Sequence, residues 1–341
     1  MANILIFIMY KGGFRMPMSP KELKDRIRGV LHLVMTPFDE NEELDEKALR
    51  EGVRWVAEKL EGEDVVFIPT GSTGEFYAMN DEECKRVAEI VVEEVNGKFP
   101  VIVGTARAGT RPTIEMSRFA QKVGADGVMV VLPYYHLVTE EGIYRHFKKI
   151  AESIDIGIMV YNNPVTSKLW ISPELMAKLS KIDNIIADKE NTPKAEAYYW
   201  MRRAVDPDDM VITCGLGQMM YPFEALFDCP GYVTELANFA PDTAVNLYKA
   251  AREKDIKKLT EIIDKIAVYH EFIRKLAKKR NIPSVLSPHI SIDTLPLYQS
   301  VCKEAMNLIG LPGGKVREPM ENITAQEKDE LKDVLKKMGV L

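Results

Sequence analysis

Gly127-Val128-Met129-Val130-Val131-Leu132, residues 127–132, is a near-continuous apolar run that ends in Pro133-Tyr134-Tyr135-His136. It is too short for a helix and rich in β-branched residues, so it reads as a strand buried on both faces. An amphipathic stretch follows, Glu140 to Ser153, and then a second short apolar run, Ile156 to Tyr161. Strand, helix and strand within roughly thirty residues make the unit that joins parallel strands through a crossover helix.

The same alternation extends outward in both directions. Strands are expected at Gly29 to Met35, Asp64 to Pro69, Val101 to Thr105, Ile185 to Lys189, Met210 to Cys214 and Gly231 to Thr234, in addition to the two above. Between and after them lie helical patterns at Asp45 to Lys59, Asp81 to Val95, Arg111 to Val123, Pro173 to Lys181, Pro193 to Val205, Met219 to Phe227 and Pro241 to Arg252. Strict alternation admits a closed barrel or an open doubly wound sheet, and eight units favour closure. The expected fold is therefore α/β, a (β/α)8 TIM barrel over residues 29–253. Residues 1–28 form an N-terminal extension with a capped helix, Ser19 to Arg28. Residues 254–341 form a C-terminal helical extension with helices near Ile256 to Arg280, Thr294 to Ile309 and Thr324 to Lys337.

Composition removes several function classes. The chain has 341 residues, 46% hydrophobic and 28% charged, as expected of a globular enzyme. A formal charge of -6 argues against a nucleic-acid partner, which needs an excess of Lys and Arg. The basic runs Lys257-Lys258 and Lys275 to Arg280 are read as a solvated helix face. Ile4 to Met9 is apolar but too short to span a bilayer, and no membrane partner is expected. Met16 or Met18 offers an alternative start, which would make the first fifteen residues an extension of the gene model. Cys84, Cys214, Cys229 and Cys302 form no C-x-x-C pair, which suits a reduced, cytoplasmic protein. His32, His146, His270 and His289 form no ligand cluster, so no metal is expected.

In such a barrel the active site forms at the C-terminal ends of the strands. The second strand runs into Thr70-Gly71-Ser72-Thr73-Gly74-Glu75, the fourth into Tyr134-Tyr135-His136, the fifth into Tyr161-Asn162-Asn163-Pro164, and the sixth into Asp188-Lys189-Glu190-Asn191. Alternation puts Ile185, Ala187 and Lys189 on one face, taken as the lumen. Desolvation favours the neutral form of an amine, and a neutral amine attacks a ketone to give an iminium that acts as an electron sink. Taken alone, Lys189 reads more readily as a surface-loop cation, and Tyr161 reads equally as a core tyrosine. Gly71 to Gly74 reads as an ordinary turn or as a nest of amides for a carboxylate.

Thr36-Pro37-Phe38, Gly71-Ser72-Thr73-Gly74-Glu75, Leu132-Pro133-Tyr134-Tyr135, Tyr161-Asn162-Asn163-Pro164 and Lys189-Glu190 occur in this order. With them the chain resembles, from Gly29 to Leu311, the dihydrodipicolinate synthase and N-acetylneuraminate lyase superfamily of class I pyruvate-dependent aldolases. The resemblance implies a lyase that needs no cofactor, with pyruvate or a related 2-oxo acid as small-molecule partner. Lys189 would form the imine and Tyr161 would shuttle protons. The Ser72 and Thr73 hydroxyls and the loop amides from Gly71 onward would hold the carboxylate, and Ser72 would link Tyr161 to Tyr135 in a relay. In many members the tyrosine matching Tyr135 comes from a neighbouring subunit, which implies a homo-oligomer, usually a dimer of dimers. Gly215 and Val233 match positions that line the site with backbone groups.

Two departures bear on the substrate. Thr166 stands where dihydrodipicolinate synthases have an arginine for the second substrate's carboxylate, which leaves sugar-acid aldolases, dehydratases and hydratase-aldolases in contention. Lys168 replaces a glycine found in many members and is similar to the aromatic-substrate hydratase-aldolases. Asp188, Glu190 and Glu235 add carboxylates near the expected mouth, as general acids for an elimination or as structural partners. His136 reads as a contact for the distal end of a substrate or as an exposed loop residue. The competing readings are a phosphate-binding barrel, hinted at by Gly215-Leu216-Gly217, and a 2-oxo acid sensor without turnover.

Overall fold

The computed structural model describes residues 16–280 and 297–341; the apolar segment Ile4 to Met9, His289 and the expected helix start at Thr294 lie outside them. Eight parallel strands are present: β1 (Gly29–Leu33), β2 (Val65–Ile68), β3 (Ile102–Gly104), β4 (Gly127–Val131), β5 (Gly157–Asn162), β6 (Ile185–Glu190), β7 (Val211–Cys214) and β8 (Gly231–Thr234). Seven neighbouring pairs run in the order β2-β1-β8-β7-β6-β5-β4-β3. The seam between β2 and β3 is closed by a parallel bridge from Phe67 to Val101 and by the Gly104 N–H donating to the Pro69 carbonyl at 3.0 Å. The chain is therefore a TIM barrel, as expected, with helices outside and short loops at both ends.

Packing explains the apolar strands. Each strand is buried along nearly its whole length, because one face meets the lumen and the other meets the helical ring. The ring begins with well-signalled helices such as Asp81–Val95, where Asn80 and Glu83 cap one another reciprocally. At the opposite end of the barrel from the expected site, helix Pro20–Arg26 presses Leu23 against β4 and β5. A Cβ on Gly127 would sit 2.7 Å from Leu23 Cδ2, and one on Gly157 2.9 Å, so glycine at both positions lets this helix dock.

Boundaries shifted where the backbone overruled periodicity. The helix expected from Met219 to Phe227 is only Tyr221–Ala225, because Pro222 lies in its first turn and Asp228, at φ 61°, turns the chain left-handed. A short helix not anticipated, Pro164–Ser167, follows β5, with Pro164 at its start and Asn163 as its cap. The helix expected from Pro193 begins at Ala195.

The C-terminal helices Ile256–Lys279, Tyr298–Leu308 and Ala325–Met338 form the annex. Its basic run is neutralised internally: Lys275 pairs with Glu330 at 2.7 Å, and Arg280 with Glu327 at 2.6 Å. That favours the reading as a helix face over a phosphate track. The annex is tied to the barrel mouth by one buried ion pair, Lys303 Nζ to Glu75 Oε1 at 2.5 Å, both residues almost wholly inaccessible. Burial pushes the Lys303 ammonium down to about 8, while Glu75 pulls against that shift.

Breaking a buried pair from one side strands a charge, which costs about 3–5 kcal/mol. Lys303→Met is expected to lose stability on that scale in urea unfolding. The double variant Lys303→Met/Glu75→Gln should recover part of the loss, since glutamine still accepts from the Arg317 N–H that Glu75 Oε2 now binds at 3.1 Å.

Candidate active site

Tyr161 on β5 and Lys189 on β6 are register partners, so both side chains emerge on the same side of the sheet. Lys189 Nζ lies 3.9 Å from the centre of the Tyr161 ring. Lys189 is 3% exposed and Tyr161 6%, and the aromatic face is what replaces water around the amine. Tyr161 Oη accepts a hydrogen bond from Asn163 Nδ2 at 2.8 Å, which leaves the phenol hydrogen available to a substrate. Asn163 also donates to Thr166 Oγ1 at 3.0 Å, so Thr166 reaches Tyr161 only through Asn163.

The loop after β2 is held in an unusual backbone state. Thr70 and Glu75 both adopt left-handed conformations, φ 55° and 56°, at its two ends. Neither is glycine, so the surrounding structure must hold them there. Thr70 Oγ1 donates to the Gly104 carbonyl at 2.8 Å, and the Glu75 side chain is anchored by Lys303 and Arg317. Gly71, Ser72 and Thr73 are thereby fixed between two pinned points. Gly215 plays a similar part after β7: its N–H donates to the Glu190 carbonyl at 2.7 Å, and a Cβ there would meet that same oxygen. Val233 is buried on β8, opposite Leu31 of β1.

The remaining residues singled out from the sequence divide. Ser72 makes no side-chain hydrogen bond among the described residues, and Tyr161 is bonded to Asn163 instead of to Ser72. Tyr135 is 70% exposed and stacks edge-on with His136, which is also exposed. Within this chain the relay from Tyr161 through Ser72 to Tyr135 is not assembled.

Asp188 and Glu190 require a correction. They alternate with Lys189, so when Lys189 faces the lumen they face the helices. Glu190 accepts from Asn162 Nδ2 at 3.0 Å and from the Thr192 N–H at 2.7 Å. Asp188 feels the charge of Glu224, on helix Tyr221–Ala225. Burial, with Glu190 alongside, holds Asp188 well above the usual carboxylate range, and burial raises Glu190 too. These acids stand behind the site, not in its mouth. Glu235 does stand at the end of β8, raised by burial; its Oε1 accepts from Gln218 Nε2 at 3.0 Å, and Gln218 in turn meets His270 at 2.8 Å.

The sequence reading missed two contributions to the mouth, Asn163 as the partner of Tyr161 and Tyr298, whose hydroxyl lies 2.9 Å from Thr73 Oγ1. Asn163 sat inside a motif already quoted; Tyr298 sat on an amphipathic helix, where a tyrosine reads as packing. Among the described residues no group of three or more His, Cys, Asp or Glu is arranged to hold a metal ion.

Comparison with known proteins identifies the family. Residues 26–338 match the Dihydrodipicolinate synthetase family. A 4-hydroxy-tetrahydrodipicolinate synthase of Methanopyrus kandleri is 32% identical over 320 residues, covering 93% of this chain and 98% of that protein. The crystal structure of dihydrodipicolinate synthase from Oceanobacillus iheyensis superposes with a TM-score of 0.82 at 26% identity, covering 94% of this chain and 100% of that one. YagE, a prophage protein of the dihydrodipicolinic acid synthase family from E. coli K12 solved in complex with pyruvate, gives 0.80 at 27% identity, covering 92% and 99%.

The buried acids behind β6 make a pH prediction. Burial pushes Glu224 up to about 8 from an ordinary 4.5, against a hydrogen bond from Cys214. A carboxyl whose pKa is raised on folding contributes stability that is complete below 4.5 and is lost as pH rises through 8. Urea midpoints of the wild type should therefore fall between those pH values, and Glu224→Gln should flatten that slope.

Proposed function

The chain belongs to the dihydrodipicolinate synthetase family, and we propose that Lys189 is the amine through which it performs that family's Schiff-base chemistry. It is an enzyme, a class I lyase of the pyruvate-aldolase kind. The observation that carries the residue assignment is the Lys189–Tyr161 pair: a buried amine, with a phenol beside it whose hydrogen is free.

The neutral Lys189 amine adds to the keto carbon of pyruvate, and the carbonyl oxygen takes up a proton to give a carbinolamine. Tyr161 delivers a proton to the departing hydroxyl, which leaves as water, and the iminium remains. Loss of a proton from the neighbouring methyl gives an enamine that adds to an aldehyde. Water then returns, releases the product acid and frees the amine. The Gly71 to Thr73 amides and hydroxyls hold the pyruvate carboxylate, and Gly215 and Val233 line the pocket.

Thr166 is uncharged and occupied with Asn163, which favours an aldehyde that carries no carboxylate of its own. The names of the curated relatives favour a second reading, condensation with an aldehyde that does carry one.

Two exposed apolar faces support a dimer of dimers. One holds Tyr135, Leu137 and Val138 beside the barrel mouth, where Tyr135 would enter a neighbour's site and complete the relay through Ser72. The other sets Trp200 and Phe227 against Tyr199 on the outer surface, where Phe223 is also exposed. No helix among the described residues is long and apolar enough to cross a membrane, and the four cysteines are free thiols, which supports a cytoplasmic setting.

Borohydride added with pyruvate should leave one reduced adduct per chain, mapped by mass to Lys189 and absent from Lys189→Ala. An adduct on another lysine, or none with any small 2-oxo acid, would refute the assignment. With pyruvate saturating, a neutral hydroxyaldehyde should turn over at least tenfold faster than a carboxylated aldehyde; the reverse preference selects the second reading. Trp200→Glu is expected to halve the mass measured by light scattering.

A further inference from the structure

Helix Tyr298–Leu308 touches the carboxylate loop twice. Lys303 pins Glu75, as described, and five residues earlier Tyr298 Oη lies 2.9 Å from Thr73 Oγ1. The Lys303 pair already docks the helix on the loop, so the second contact is not needed to hold it there. Tyr298 also stands near Tyr161, Tyr77 and Glu235. The phenol is thus part of the barrel mouth although it comes from the annex.

We propose that Tyr298 is a positioning residue for the substrate carboxylate: its hydroxyl donates to Thr73 Oγ1 and so turns the Thr73 hydrogen toward the bound anion. The inference rests on the reading of Lys189 and of loop residues 71–73 given above.

A bond between two hydroxyls has two possible senses, and a single hydrogen lies between the oxygens. Were Thr73 the donor, its lone pairs would face the carboxylate and repel it. With Tyr298 as donor, the Thr73 hydrogen is released for a charge-assisted bond to the anion. Two features favour the second sense. A phenol is the stronger acid of the two hydroxyls and the better donor. Thr73 is its sole side-chain hydrogen-bond partner among the described residues.

Tyr298→Phe removes one oxygen and leaves the Lys303–Glu75 pair in place. In borohydride trapping, the pyruvate concentration for half-maximal adduct should rise about three- to tenfold, because Thr73 loses the neutral hydrogen bond that fixes its own hydrogen toward the anion. The trapping rate at saturating pyruvate should change less than twofold, and half-saturation by the neutral analogue pyruvamide should stay unchanged. Thr73→Val should lose about as much for pyruvate, and the Tyr298→Phe/Thr73→Val double variant no more than the worse single one. A pyruvate half-saturation within twofold of wild type, an equal shift for pyruvate and pyruvamide, or losses that multiply in the double variant would each overturn the proposal. If Tyr298→Phe does not fold, Tyr298→Leu is put through the same comparison of the charged and neutral ligands. Wild-type protein that forms no adduct overturns the Lys189 reading and this one with it; a normal wild-type adduct with an unaffected Tyr298→Phe overturns this one alone.

Discussion

A strand in a closed, helix-covered barrel has no face left for water, and this constraint governs the most consequential segment of the chain. Asp188-Lys189-Glu190 carries three ionisable groups in a row through β6, and all three are buried. The lysine goes inward, where its amine lies against the Tyr161 ring. The acids go outward, beneath the helices, where burial pushes both toward the protonated form and Glu190 finds Asn162 and Thr192. A buried amine on one side and reluctant acids on the other are two results of the same geometry.

The strand pattern was legible because double burial writes itself into the sequence as short β-branched runs; every strand found overlaps one read from the sequence alone. Helix ends were less legible where proline or a left-handed residue intervened, as at Pro222 and Asp228. Lys189 and Tyr161 could be placed on one face because alternation is a local rule. The same rule, applied one residue to either side, excludes Asp188 and Glu190 from the mouth, and the sequence reading had not applied it to them. Tyr298 was invisible for a different reason: its contact with Thr73 spans most of the chain, and no local period reports a partner so distant.

The loop after β2 shows how a site is made rigid without being made of regular structure. Left-handed Thr70 and Glu75 bound it, each held by groups from other parts of the chain: the Gly104 carbonyl for one, Lys303 and the Arg317 amide for the other. Amides and hydroxyls aimed at an anion lose little freedom on binding when they are already fixed, which is the condition for preorganised electrostatics.

That Glu75 waits for Lys303 also sets a sequence in time. Ribosomes deliver the barrel strands in order, and the loop after β2 emerges long before the lysine that pairs with Glu75. Until Lys303 has left the exit tunnel, Glu75 must stay hydrated and its loop unsettled. The nascent chain can gather its strands early, but this loop is fixed only once that lysine has joined it. A tie between groups so far apart in sequence thus delays the ordering of this loop until long after its own residues have been made.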